Sequence, residues 1–380
     1  MFFQRRSFLK ALGMGMVAGT MPASLPAVGQ VMGYGAGPSR PQERVTRLNC
    51  NENAYGPSSQ VQARLQETLA GTNRYPAGSD ELIARLAAMH RVSEQGVLLG
   101  CGSTELIRIL AAGLLGPGKS VITASPTYEA MAEYSRVYGG QTIAIRLDHE
   151  FAHDLDKMLA RVDSQTALVY ICNPNNPTGS ITTKESINQF LEKLPATVVV
   201  VVDEAYYQYA PYSPAYESLL DRPVADPRLV VLRTFSAVYG LAGLRIGYAV
   251  MSPQLATRLR PQLTENGVSD LGLQGALASL DDEEGLRFAT KRNADARVEF
   301  SNQAIARMLK PIDTKANFVM MNVNHPAAEV VEQFRRNHVL IGGPYPPMNT
   351  FIRVSLGTPQ DMVEFWRVWD LLPYARDMKM

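Results

Sequence analysis

Between residues 97 and 250 the chain alternates in a way few folds can accommodate. The runs "VLLG" (97–100), "SVITA" (120–124), "QTIAIRL" (141–147), "TALVYIC" (166–172), "TVVVVVD" (197–203), "RLVVLRTF" (228–235) and "LRIGYAV" (244–250) are each of strand length. Helical stretches such as "STELIRILAAGLL" and "YEAMAEYSRVYG" separate several of them. Runs that are apolar throughout suit strands buried on both faces, hence a parallel sheet covered by helices on either side. The expected fold class is α/β, with a mostly parallel seven-stranded sheet, helices on both faces and a smaller α+β domain. That smaller domain is read from the stretch beyond Leu280, where "EGLRFATKRNADARVEFSNQAIARML" precedes "NFVMMNV" and "FIRVSL". The expected divisions are a linker and N-terminal arm over 31–68, a large domain over 69–282 and a small one over 283–380. In such sheets ligands collect at the carboxyl ends of the strands, and the polar motifs sit there.

Charge excludes some partners. Lys and Arg number 37 against 36 Asp and Glu, with a net charge of +1 and no basic block, so nucleic acid is not an expected ligand. Cys50, Cys101 and Cys172 are too scattered for a disulfide framework or a zinc site, and the histidines lack metal-ligand spacing, so no metal is expected. His149 and His153 fall in a polar stretch and read as solvated.

Residues 1–30 read as an export signal. Arg5, Arg6 and Lys10 precede a mildly apolar run and then small residues, with cleavage expected around Ala23 to Ala27. The apolar run is too short and too Gly-rich to be a stable membrane anchor. "RRSFLK" resembles a twin-arginine motif, although Gln4 stands where Ser or Thr is usual, and this implies a periplasmic protein exported in the folded state. "GMGMVAG" follows no strand and is not a dinucleotide fingerprint.

Four stretches carry chemistry. "GCGSTE" (100–105) joins a strand to a helix N-terminus, where free amides suit a phosphate, although a simple capping role for Ser103 fits equally. "NPNNPTG" (173–179) and "VVDEAYYQY" (201–209) follow consecutive strands. Asp203, closing an apolar strand, needs a cationic or hydrogen-bonding partner, which a helix N-cap or a protonated ring nitrogen would supply. Arg245 in "GLAGLRIG" and Arg353 in "FIRVSLGT" are either structural ion pairs or anion binders; the fork of Arg353 suits a carboxylate.

Together these stretches resemble the class I/II, fold-type I pyridoxal-phosphate (PLP) aminotransferases, in the histidinol-phosphate aminotransferase-like subgroup. The matching pieces are "LNCNENAYGPS", "NRYP", "GCGSTELI", "SPTYEAM", "NPNNPTG", "VVDEAY", "TFSAVYGLAGLRIGY" and "IRVSLGT", in order from about Leu48 to Thr358. The resemblance implies that Asp203 keeps the pyridine nitrogen protonated and that Tyr206 and Asn176 bond the ring hydroxyl. It implies that Tyr128 stacks on the ring, and that Gly102, Ser103, Thr104, Thr234, Ser236 and Arg245 hold the phosphate. Arg353 would bind the α-carboxylate of an amino acid or 2-oxo acid beside Asn176, with Tyr55 and "TENGVSD" (264–270) lining the side-chain pocket. Tyr75 would reach the phosphate from a second subunit, implying a homodimer with shared sites.

The sequence departs from the family pattern twice. Ala237 occupies the position of the Schiff-base lysine, and no other lysine is an evident substitute. Since the remaining contacts are kept, the expectation is a Lys→Ala form of a transaminase, stalled once amino acid and cofactor have joined. Open alternatives are a racemase or lyase on the same fold, or a natural non-catalytic binder of amino acid or PLP. Second, "VLIGGPYPPM" has Gly342 and Gly343 where histidinol-phosphate enzymes place an arginine, which points to an ordinary L-amino acid instead. Glu265 either faces a basic side chain or is a solvated loop carboxylate.

Overall fold

The computed structural model describes residues 45–210, 213–220 and 226–373. The expected export signal and most of the linker lie outside the described residues. Strand β1 is Thr46–Leu48, and the next seven are β2 (Val97–Cys101), β3 (Ser120–Ser125), β4 (Gln141–Arg146), β5 (Thr166–Cys172), β6 (Val199–Asp203), β7 (Leu229–Thr234) and β8 (Ile246–Val250). These seven form one sheet in the order β2-β8-β7-β6-β5-β3-β4. All neighbours are parallel except the two pairs that β8 makes, with β2 and β7. The seven apolar runs are thus the seven strands.

Alternation along each strand divides the core between two faces. Val200 and Val202 of β6 point into a cluster with Leu82, Leu86, Ile187 and Leu273 from helices on one side. Val201 points the other way, with Tyr170 and Leu232, onto Leu106, Ile107 and Leu110 of helix Ser103–Leu114.

Beyond the sheet the chain forms β9 (Lys310–Pro311), β10 (Phe318–Asn322), β11 (Val339–Ile341) and β12 (Phe351–Ser355). β12, β10 and β9 make a second, antiparallel sheet. Behind it Phe300, Phe334, Phe365 and Trp366 pack ring against ring, with Phe300 and Trp366 centroids 5.0 Å apart. β1 pairs in parallel with β11, Thr46 opposite Val339, so the expected arm is tied to chain made almost three hundred residues later. Three residues, "TRL", carry too little periodicity to reveal that pairing.

His153 corrects an expectation. Rather than solvated, it is 4% exposed, held against the end of β5. β3 no longer pairs with β5 beyond Tyr170, and the Cys172 amide donates instead to His153 Nε2 at 3.3 Å. Nδ1 therefore carries the hydrogen and donates to Thr182 Oγ1 at 3.0 Å. Burial lowers the imidazole pKa to about 4, so the ring stays neutral.

Candidate active site

The carboxyl ends of β5, β6 and β7 open onto a cavity of about 630 Å³, which β12 closes from the other side. Ser103, Thr104, Tyr128, Asn176, Asp203, Tyr206, Thr234, Ser236, Arg245 and Arg353 line it together. Ten residues expected from scattered motifs thus share one wall-to-wall space.

At one end is a cradle built on Gly102. Its φ of +74° favours glycine, and a Cβ there would collide with the Arg245 guanidinium. Below it, a Cβ on Gly247 of β8 would lie 2.5 Å from the Ser103 amide nitrogen, so the turn rests directly on the sheet. Gly102 caps the helix without a side-chain hydrogen bond, so Ser103 is the first helical residue and not its cap. The leading amides and positive helix end face the cavity. Arg245 Nη1 is steered there by the Ala242 carbonyl at 2.9 Å and Ser236 Oγ at 3.3 Å. Ser236 is set in turn by its amide donating to Thr234 Oγ1 at 3.0 Å.

At the floor lies Asp203, 2% exposed. Oδ2 accepts from the Tyr170 hydroxyl at 2.8 Å and Oδ1 from the Ala205 amide at 3.1 Å. Among the described residues no cation pairs with it, and burial raises its carboxyl to about 6 despite the Tyr170 bond. A buried carboxylate left without a cation is suited to a ligand that brings one. Tyr206 accepts at its hydroxyl from Asn51 Nδ2 at 3.1 Å, and Tyr128 and Thr104 share a hydroxyl contact of 3.1 Å.

Arg353 forms the far wall. It is 8% exposed and in no ion pair among the described residues. Nη2 donates to the Asn49 carbonyl at 2.6 Å and Nη1 to Asn176 Oδ1, while Nε has no partner. The Tyr345 ring lies 5.2 Å from its guanidinium carbon. A Cβ on Gly342 would strike the Tyr345 hydroxyl, so the glycine makes room for this tyrosine.

Other expected residues stand apart within one chain. Ala237, 3% exposed, follows Ser236 into an apolar cluster with Tyr206, Tyr209, Val238 and Phe318. Tyr55 lines a second cleft of about 650 Å³, its ring 4.4 Å from the Arg292 guanidinium carbon. Tyr75 is 85% exposed. Among the described residues no lysine lines the first cavity: Lys315 pairs with Asp313 at 2.9 Å and Lys291 with Asp295 at 2.6 Å. Tyr170, Asn51 and Tyr345 were not singled out from the sequence. For Tyr170 a signal was available, since a phenol inside an aliphatic strand needs a hydrogen-bond partner. The donor set fits PLP: an anion cradle at one end, an uncompensated buried carboxylate at the floor, and aromatic walls between.

The comparisons agree with that chemistry. The family profile described as "Aminotransferase class I and II" matches residues 43–367. "Histidinol-phosphate aminotransferase 2" of Carboxydothermus hydrogenoformans is 38% identical over 86% of this chain and 93% of its own length. The histidinol-phosphate aminotransferase of Bacillus subtilis is 33% identical over 85% and 90%. The crystal structure of histidinol-phosphate aminotransferase from Sinorhizobium meliloti in complex with pyridoxal-5'-phosphate superposes with a TM-score of 0.81, at 26% identity over 89% of this chain and 92% of that one. With such a match over most of its length and a cavity whose donors fit the cofactor, this chain belongs to the class I and II aminotransferase family, and its cofactor is pyridoxal 5'-phosphate.

Proposed function

We propose that the lysine-bearing form of this chain transfers an amino group between an L-amino acid and a 2-oxo acid, and that the chain with Ala237 binds cofactor and amino acid without turning over. The observation that carries this is a single cavity that gathers ten motif residues but, among the described residues, no lysine. When bound, PLP supplies an electron sink that acidifies the Cα–H of the amino acid. The protein's part is to hold and to move protons. The Gly102–Thr104 turn, Ser236 and Arg245 would hold the phosphate. Asp203 would accept the N–H of the ring and keep that proton in place, Tyr206 and Asn176 would bond the ring hydroxyl, and Tyr128 would cover a face. Arg353 orients the amino acid by its α-carboxylate. A proton leaving Cα then needs a carrier, and the methyl of Ala237 is none.

The relatives named above are histidinol-phosphate enzymes; here an ordinary L-amino acid fits better, because a glycine pair and Tyr345 stand where a phosphate-binding arginine would. We further propose a homodimer in which the partner subunit's Tyr75 completes the phosphate site, and export to the periplasm through residues 1–30.

Absorbance spectra and keto-acid assays of the PLP-loaded protein, as it stands and as Ala237→Lys, test the proposal. The expected result is borohydride-reducible cofactor and measurable transamination in the lysine form, with amino-acid binding but no release of keto acid in the alanine form. If Ala237→Lys yields a reducible linkage but no activity with any amino acid, the missing lysine favours the second reading, a non-catalytic binder.

A further inference from the structure

Resting on the reading that Tyr206 bonds the ring hydroxyl of PLP, we infer that Asn51 is a positioning residue that turns the Tyr206 O–H toward the ring oxygen. Asn51 lies just beyond β1 at φ +57°, a conformation that asparagine adopts more readily than most residues. Asn317 Nδ2 holds its carbonyl at 2.8 Å. Asn51, Tyr206, Asn317 and Ser355 are all buried within one chain, so a second subunit does not reach the bonds among them.

The direction of each hydrogen follows from Ser355. Its Oγ accepts from the Asn51 backbone amide at 2.8 Å, which leaves its own hydrogen to donate to Asn51 Oδ1 at 3.1 Å. The two ends of the side-chain amide are thereby assigned, Oδ1 facing Ser355 and Nδ2 facing Tyr206. Nδ2 can only donate, so the Tyr206 hydroxyl, 3.1 Å away, accepts, and its hydrogen points elsewhere. Among the described residues nothing takes that hydrogen. Phe318 fixes the phenol ring edge to face, with centroids 5.0 Å apart, and Tyr206 lines the cavity that gathers the cofactor residues.

A phenol that accepts from an amide donates more strongly in its turn. A hydrogen bond donated to an ionised oxygen favours that form, so this network lowers the pH at which the ring hydroxyl of bound PLP ionises. Burial above all pushes the Tyr206 phenol well above its usual range, against the pull of Arg353 and of the Asn51 bond, so its proton stays in place. Cys172, Asp203 and Tyr209 are the other titratable groups around it. Ser355 stands two residues after Arg353 on β12, so the strand that carries the carboxylate-binding arginine also sets the phenol.

The test follows the absorbance of PLP-loaded protein across pH and reads the midpoint at which the ring hydroxyl ionises. Asn51→Asp keeps the size and backbone of the residue but replaces the donor by an oxygen that Arg353 helps to keep ionised. Tyr206 must then donate to that oxygen. The midpoint is expected to rise by roughly one pH unit, as it should in Tyr206→Phe. In the double variant the rise should fall short of the sum, because both substitutions remove the same bond. Ser355→Ala adds no charge and frees the amide to turn over, so a smaller rise in the same direction is expected. That variant carries the test if a thermal melt shows Asn51→Asp unfolded. A midpoint unmoved by either substitution, or single rises that add in full, overturns the inference while Tyr206→Phe still moves the midpoint. If Tyr206→Phe leaves it unmoved as well, the underlying reading of Tyr206 falls too.

Discussion

Asp203 and Tyr170 show how far one hydrogen bond reaches. Phe in place of Tyr170 removes the donor to Oδ2 and leaves the carboxylate with one backbone amide. The Asp203 carboxyl then rises further above about 6, and less of it is ionised to hold the ring proton at neutral pH. Tyr170→Phe should bind PLP roughly tenfold more weakly, with binding recovering as pH rises; equilibrium dialysis across pH 6 to 8.5 measures it. At Arg353, Lys keeps the charge but loses the fork that bonds Asn176 and the Asn49 carbonyl. Arg353→Lys in the PLP-loaded protein should weaken amino-acid binding about tenfold or more while cofactor affinity holds, read by absorbance titration. Residues of this kind divide by legibility. Asp203, Asn176 and Arg353 were readable because each sits in a compact motif at a strand end. Asn51 and Tyr345 were not, because their partners lie far away along the chain and only folding reveals them.

Among the elements, the turn into helix Ser103–Leu114 does most to define the site. Gly102→Ala forces a side chain onto a backbone at φ +74° and against Arg245. The expected cost is about 1–3 kcal/mol of stability, together with loss of PLP binding, measured by denaturant titration and by dialysis. The sheet itself was legible strand by strand, since seven strand-length, mostly apolar runs in such close succession have few other uses. Direction was harder to see: β8 is as apolar as the parallel strands of the sheet, yet runs opposite to both of its partners. Helix Leu155–Leu159 also escaped notice, its five residues being too short for a period to show.

For the whole molecule, pH exposes a balance among buried groups. His153 is held near 4 by burial, and His90 near 3 by burial and then the neighbouring Arg233. Both fold as neutral rings, so the stability they permit is present above pH 6.5 and is lost as pH falls toward those values. Asp203 runs the opposite way. Its pKa is raised in the fold, so its contribution is present below 3.8 and lost as pH rises through about 6. Two groups oppose one, and His153 alone is worth about 3 kcal/mol over its full range. The apo-protein should therefore lose stability between pH 7 and pH 5, and His153→Gln should flatten part of that slope; urea titrations at both pH values decide it.

The pairing of β1 with β11 also fixes an order of events during synthesis. Thr46 leaves the ribosome long before Val339, its partner, exists. Just after β1 come Asn49, whose carbonyl holds Arg353, and Asn51, whose amide donates to Ser355 Oγ at 2.8 Å. The wall around the cofactor is therefore among the last parts of the molecule to be assembled, though half of it is translated first. A nascent chain halted short of residue 339 has its strands β2 to β8 complete but not the pocket that they support.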